Sequence, residues 1–77
     1  MSKILFFAGL QERLGAEALE LQWKGKTIAE LRQTLKHEYS LETIDAAMVA
    51  INEEFASDTA VVQEDDTVAF IPPVSGG

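Results

Sequence analysis

The sequence predicts an α+β domain in which one main helix packs across one face of a mixed sheet. Three observations predict it. Short apolar or alternating runs at 4–8, 18–23, 48–51 and 67–71 have the length and pattern of strands. A single long amphipathic stretch, opened by Thr27, repeats apolar residues at helical spacing. The order of strand, strand, helix, then further strands suits a helix held to one face of one sheet.

Ile4-Leu5-Phe6-Phe7-Ala8 is a continuous apolar run, expected to be a strand covered on both faces or nearly so, with Gly9 closing it. Residues 10–14 form a single helical turn in this reading, stopped by Gly15 as a C-cap. Residues 18–23 put Leu19, Leu21 and Trp23 on one face and Glu20 and Gln22 on the other, the pattern of a half-buried strand. Lys24-Gly25-Lys26 supplies the turn that follows.

Thr27 with Glu30 three residues later is a capping box. Ile28, Leu31, Leu35 and Tyr39 then share one helix face, and Arg32, Gln33 and Lys36 are expected to face away. Lys36 and His37 suit the negative end of the helix dipole, and His37 reads as a solvated helix-end residue. Residues 40–47 start polar and can add one more helical turn. Met48-Val49-Ala50-Ile51 is the third strand, Asn52-Glu53-Glu54 a turn, and Phe55-Ala56 a short return strand. A connector over 58–62 and an acidic turn over 63–66 lead into the last strand, 67–71.

If the first and last strands lie side by side, the sheet face away from the helix stays open to partners. Phe7, Phe55 and Ile71 are candidates for that face, although parity alone leaves each open as ordinary core.

Seventy-seven residues make one small domain, and 47% hydrophobic content is enough for its core. The chain has no cysteine and one histidine, so it offers neither a disulfide framework nor a thiolate or histidine-rich metal site. Thirteen acidic against six basic residues give a net charge of −7, which disfavours nucleic acid and anionic membrane as partners. The same charge suits solubility, or steered association with a basic surface. No apolar stretch approaches the roughly 18 residues of a membrane helix. The opening residues lack a signal-peptide layout, so the expected setting is cytoplasmic.

No catalytic constellation is present: His37 has no matched nucleophile or acid, and neither GxxxxGK[ST] nor GxGxxG occurs. Glu53-Glu54 and Glu64-Asp65-Asp66 read as solvated turn residues. What remains is the ending Phe70-Ile71-Pro72-Pro73-Val74-Ser75-Gly76-Gly77. Pro72 removes a ladder donor and holds Ile71 extended, and two prolines give the departing chain a limited direction. Residues 73–77 can reach about 16–18 Å at about 3.3–3.6 Å per residue. Without Cβ atoms, Gly76 and Gly77 can pass a constriction that rejects any side chain. The Gly77 carboxylate is unhindered, but a carboxylate is a poor acyl donor until activated, most simply as an acyl-adenylate. The chain lacks a phosphate-binding element, so that activation requires an ATP-using partner. A frayed terminus is the plainer alternative.

The ending Val68-Ala69-Phe70-Ile71-Pro72-Pro73-Val74-Ser75-Gly76-Gly77 resembles the small subunits of molybdopterin synthase, sulfur carriers with the ubiquitin-like β-grasp fold. The opening Lys3-Ile4-Leu5-Phe6-Phe7-Ala8 and the Ala50-Ile51-Asn52-Glu53 turn are similar to the same family. The resemblance implies a β-grasp domain over 1–72 and a flexible Gly-Gly tail over 73–77. It implies that a partner related to ubiquitin activators adenylates Gly77 with ATP, and that a sulfur donor system converts it to a thiocarboxylate. The tail, with Val74, Ser75 and Gly76, would then enter the large synthase subunit. There it would give sulfur to cyclic pyranopterin monophosphate, twice per product, in molybdenum cofactor biosynthesis.

The carrier would be non-catalytic alone, with no tightly bound cofactor and no metal, and its assembly with the large subunit a heterotetramer. Phe7, Phe55, Ile71, Pro72 and Pro73 would meet the partner subunits. The family often has a basic residue just after the first strand; this chain has Gln11, with Arg13 nearby. Thiamine-thiazole synthesis, tRNA thiolation, and a non-enzymatic β-grasp binding module are the alternative readings.

Overall fold

The computed structural model describes residues 1–73. Five strands form one sheet: β1 (Ser2–Phe6), β2 (Ala18–Leu21), β3 (Met48–Ile51), β4 (Glu54–Phe55) and β5 (Thr67–Ile71), in the spatial order β2-β1-β5-β3-β4. β1 and β5 run parallel at the centre, and the other pairs are antiparallel, so the sheet is mixed. Helix α1 (Ala8–Leu14) follows β1, and α2 (Ile28–Glu38) precedes a 3-10 helix over Glu42–Ala46.

The first apolar run begins and ends earlier than its composition suggests. β1 spans Ser2–Phe6, Phe7 is an extended N-cap, and Ala8 turns the chain into α1 at φ 51°. Gly9 therefore lies inside a helix instead of closing a strand. The reason is Leu10, which the helical path returns to the core with 2% of its surface exposed. Gly15 caps α1 as expected: at φ 81° its N–H reaches the carbonyl of Gln11. β1 is also covered on one face only, with Ile4 and Phe6 buried, Leu5 half-buried and Lys3 exposed.

The second strand stops at Leu21, two residues short of Trp23. Trp23 still reaches the interior, and its indole N–H donates to the Thr27 carbonyl at 3.1 Å. There the α2 cap takes over: the Thr27 hydroxyl accepts from the Glu30 N–H at 3.2 Å. Reciprocity takes another form, the hydroxyl approaching Glu30 Oε1 at 3.3 Å. Two further free N–H groups of the first turn, on Ile28 and Ala29, donate to the carbonyls of Ala60 and Asp58. The 58–62 connector thus completes the start of α2.

Ile28, Leu31 and Leu35 pack against the inner faces of the strands, joined by Leu41, Ile44 and Val62. Phe6 and Phe70 meet at the centre with ring centroids 6.1 Å apart. Tyr39 is the half-buried C-cap of α2. One expectation for this helix fails. Arg32 does not face solvent: its guanidinium is buried, donating from one nitrogen to the carbonyls of Ile44 and Ala47 at 2.6 and 2.8 Å. Nε bonds Asp58 at 3.0 Å, and the Phe70 ring lies 5.5 Å away. The last carbonyls of the 3-10 helix need a donor, and a long stem from α2 supplies one.

The return strand is also displaced by one residue, to Glu54–Phe55. Asn52 and Glu53, at φ 50° and 71°, form a two-residue hairpin turn of the type in which both central residues are left-handed. Glu54 therefore pairs with Ile51 instead of belonging to the turn.

Candidate functional site

Strand register decides which side chains reach the face away from α2. Ile4, Phe6, Val49, Val68 and Phe70 point to the helix and are buried. Side chains alternate, so Leu5, Ala50, Ala69 and Ile71 point the other way. The pairs Leu5↔Ala69 and Ala50↔Ala69 place small residues in a row across three strands. Phe55, opposite Ala50, projects beside that row with 72% of its surface exposed.

The result is an open depression of about 550 Å³. Leu5, Ala50 and Ala69 form its floor, Phe7, Phe55 and Ile71 its apolar walls, and Asn52, Glu53 and Thr67 its polar end. Phe7 is 45% exposed and Met48, across from Ile71 on β3, 49%. Exposed aromatic and methionine side chains around one groove mark a surface suited to binding another chain.

Phe7, Phe55 and Ile71, far apart in sequence, therefore come together on one face. Pro72 is half-buried and Pro73 exposed, immediately beyond the last paired residue of β5. Val74, Ser75, Gly76 and Gly77 lie outside the described residues. Leu5, Ala50 and Ala69 were missed by the sequence reading. Their signal is small or apolar residues at alternate strand positions, legible only once β1 and β5 are known to be neighbours.

The polar end is tied down by side-chain hydrogen bonds. Asn52 Oδ1 accepts from the Thr67 N–H at 2.9 Å, and its amide nitrogen donates to Asp66 at 2.8 Å. Asp66 also accepts from the Gln63 N–H at 2.8 Å. The hairpin and the acidic turn are thereby fixed to each other beside β5. Gln11 and Arg13 are both exposed on α1, and Arg13 lies 3.6 Å from Glu42. His37 is exposed and meets Gln33 at 3.2 Å. Among the described residues, no group of three or more acidic or histidine side chains could hold a metal ion. None of the helices there is long and apolar enough to cross a membrane.

Comparison with known proteins connects this geometry to a family. The molybdopterin synthase sulfur carrier subunit of Arabidopsis thaliana is 40% identical over 78 residues, covering 97% of this chain and 81% of that protein. Small archaeal modifier protein 1 of Methanosarcina acetivorans has the same fold, with TM-score 0.81 and 21% identity, covering 99% of this chain and 95% of its own. A further match is to a complex of subunits 1 and 2 of molybdopterin-converting factor from Helicobacter pylori. There the TM-score is 0.70 at 22% identity, over 99% of this chain and 97% of that one. The architecture is the ubiquitin-like β-grasp. The pattern that defines the ThiS family matches residues 4–77, nearly the whole sequence, and the chain belongs to the ThiS family.

Proposed function

We propose that this protein is the sulfur-carrier subunit of a molybdopterin synthase, acting through the carboxylate of Gly77. The observation that carries the reading is the 40% identity to the Arabidopsis sulfur carrier subunit over 97% of this chain. The open apolar groove beside β5 supports it, because a carrier needs a docking face next to the strand that leads to its reactive end.

In the chemistry proposed, the Gly77 carboxylate attacks the α-phosphate of ATP on an adenylating partner, and pyrophosphate leaves. A sulfur donor then displaces AMP from the acyl-adenylate, leaving a thiocarboxylate. Docked on the large subunit, the thiocarboxylate sulfur bonds to cyclic pyranopterin monophosphate, and water then cleaves the acyl–sulfur bond, leaving the sulfur on the pterin and restoring the Gly77 carboxylate. Two sulfurs per dithiolene require two such cycles. Within this scheme the β-grasp body binds and orients, Phe7, Phe55 and Ile71 contact the partners, and Pro72 and Pro73 direct the tail. Catalytic groups belong to the partners, ATP is consumed by the activating enzyme, and the chain itself holds no cofactor. A cytoplasmic setting and a heterotetramer of two carriers with two large subunits complete the proposal.

The complex from Helicobacter pylori supports the choice of a second synthase subunit as partner, through its shared fold. Incubation with the cognate activating enzyme, ATP and a sulfur donor should exchange one oxygen of the protein for sulfur, read by intact mass. Removal of Gly77 should abolish that exchange while leaving the fold intact. An unchanged mass for the full chain under those conditions overturns the reading.

A further inference from the structure

The groove is apolar except at one end, where Asn52, Glu53 and Thr67 line it. Glu53 is the only ionisable side chain among the described residues lining it. The Asn52 side chain is engaged by the Thr67 N–H and by Asp66, so it belongs to the scaffold. The Glu53 side chain makes neither a hydrogen bond nor an ion pair with a described residue; the ion pairs among the described residues involve the Met1 amine, Arg13, Arg32 and Lys36. Lys3, a cation that strand register puts on this face, stands between Glu20 on β2 and Thr67 on β5, and forms no ion pair with Glu53.

Backbone conformation makes the choice of residue at 53 conspicuous. At φ 71° it occupies the second central position of the hairpin turn, where glycine is the favoured residue. A glutamate there is conformationally strained, with the largest φ of the five described non-glycine residues in the left-handed region, Ala8, Ser40, Asn52, Glu53 and Asp65. Such outliers direct attention to function. Here the strained residue is exposed and lines the polar end of an apolar groove on a protein of net charge −7.

We propose that Glu53 is a specificity residue of the docking groove, pairing with a lysine or arginine at the edge of the partner's apolar surface. The inference rests on the proposed function for the identity of that partner, the large synthase subunit. Apolar contact with Phe7, Phe55 and Ile71 supplies burial, and the carboxylate selects a partner whose rim is basic. A rim charge of this kind acts on association rate, salt dependence and discrimination more than on buried area.

The test measures the dissociation constant of the full chain with the cognate large subunit, at about 50 mM and about 300 mM salt, where screening differs. Glu53→Gln, Glu53→Gly and Glu53→Lys are compared with Phe55→Ala, and each variant's thermal midpoint reports on its fold. The inference expects Glu53→Gln to weaken binding about tenfold at low salt and to flatten its salt dependence, with about a hundredfold loss for Glu53→Lys. Glu53→Gly should weaken binding while raising the thermal midpoint, a combination that a purely structural role would not give. Wild-type affinity and salt dependence in Glu53→Gln, with weakened binding in Phe55→Ala, overturns the role of Glu53 and leaves docking on the groove intact. Unchanged binding in Phe55→Ala and Glu53→Gln together overturns docking on this groove and the inference with it.

Discussion

Arg32 carries a positive charge into the interior of an acidic protein, with 8% of its surface exposed. Its contacts explain why the charge is tolerated: the carbonyls of Ile44 and Ala47 accept from the guanidinium, and Asp58 accepts from Nε. Replacing it with methionine keeps much of the stem but leaves the Ala47 carbonyl without this donor, while the Ile44 carbonyl still accepts from the Ala47 N–H. A buried polar group left unpaired costs about 1–3 kcal/mol, so Arg32→Met should lower stability by about 2 kcal/mol in a denaturant titration. Arg32→Lys should recover part of that loss, because an ammonium can reach some of the acceptors without matching the fork.

A second residue-scale case lies on the surface. The Lys36 ammonium bonds Asp45 at 2.6 Å and holds its carboxyl on the acid side of the ordinary aspartate range. Charge attraction from Lys36 and Arg32 adds to this, and partial desolvation opposes it. With the folded value depressed, the pair's contribution is present above the unfolded aspartate value and disappears as pH falls through the folded one. An NMR titration of the Asp45 carboxyl should show the depression, and Lys36→Met should move the midpoint back up. Such an exposed pair is an ordering contact of small weight.

At the scale of elements, the β3–β4 hairpin shows a rule of local geometry overridden. Its turn takes Asn52, a favoured residue, and then Glu53 where glycine is expected. A left-handed residue bearing a Cβ costs about 1 kcal/mol. Glu53→Gly should therefore raise stability by about that amount, or about 4–8 °C in Tm for a domain of this size, measured by thermal unfolding. Elements with strong local determinants were readable from the chain. The Thr27 cap, the α2 apolar face, β3 and β5 all lie where periodicity and capping residues put them. The ends of β1 and β2 were not, because Leu10 and Trp23 answer to the core beneath them and not to their immediate neighbours. Arg32 was misread for a related reason. Its partners, residues 44, 47 and 58, are brought to it by tertiary folding alone.

At the scale of the whole molecule, the sheet separates two jobs. Its inner face carries the core, closed by α2 and the 58–62 connector, and its outer face presents Phe7, Phe55 and Ile71 around a groove. The three were legible as apolar candidates, but their convergence depends on the parallel pairing of β1 with β5, which no local signal encodes. Two phenylalanines test the division. Phe70 is fully buried and stacks on Phe6, so Phe70→Ala should cost about 3–5 kcal/mol of stability through lost burial and the cavity left behind. Phe55, 72% exposed on the opposite face, should change stability by less than about 0.5 kcal/mol when truncated. In binding the order reverses. At permissive temperature, Phe55→Ala should weaken association with the large synthase subunit by about 1 kcal/mol or more, as an exposed aromatic anchor does. Calorimetric unfolding and binding on the same two variants read both orders. If truncating Phe55 costs as much stability as truncating Phe70, the outer aromatic belongs to the core and the two-face division fails.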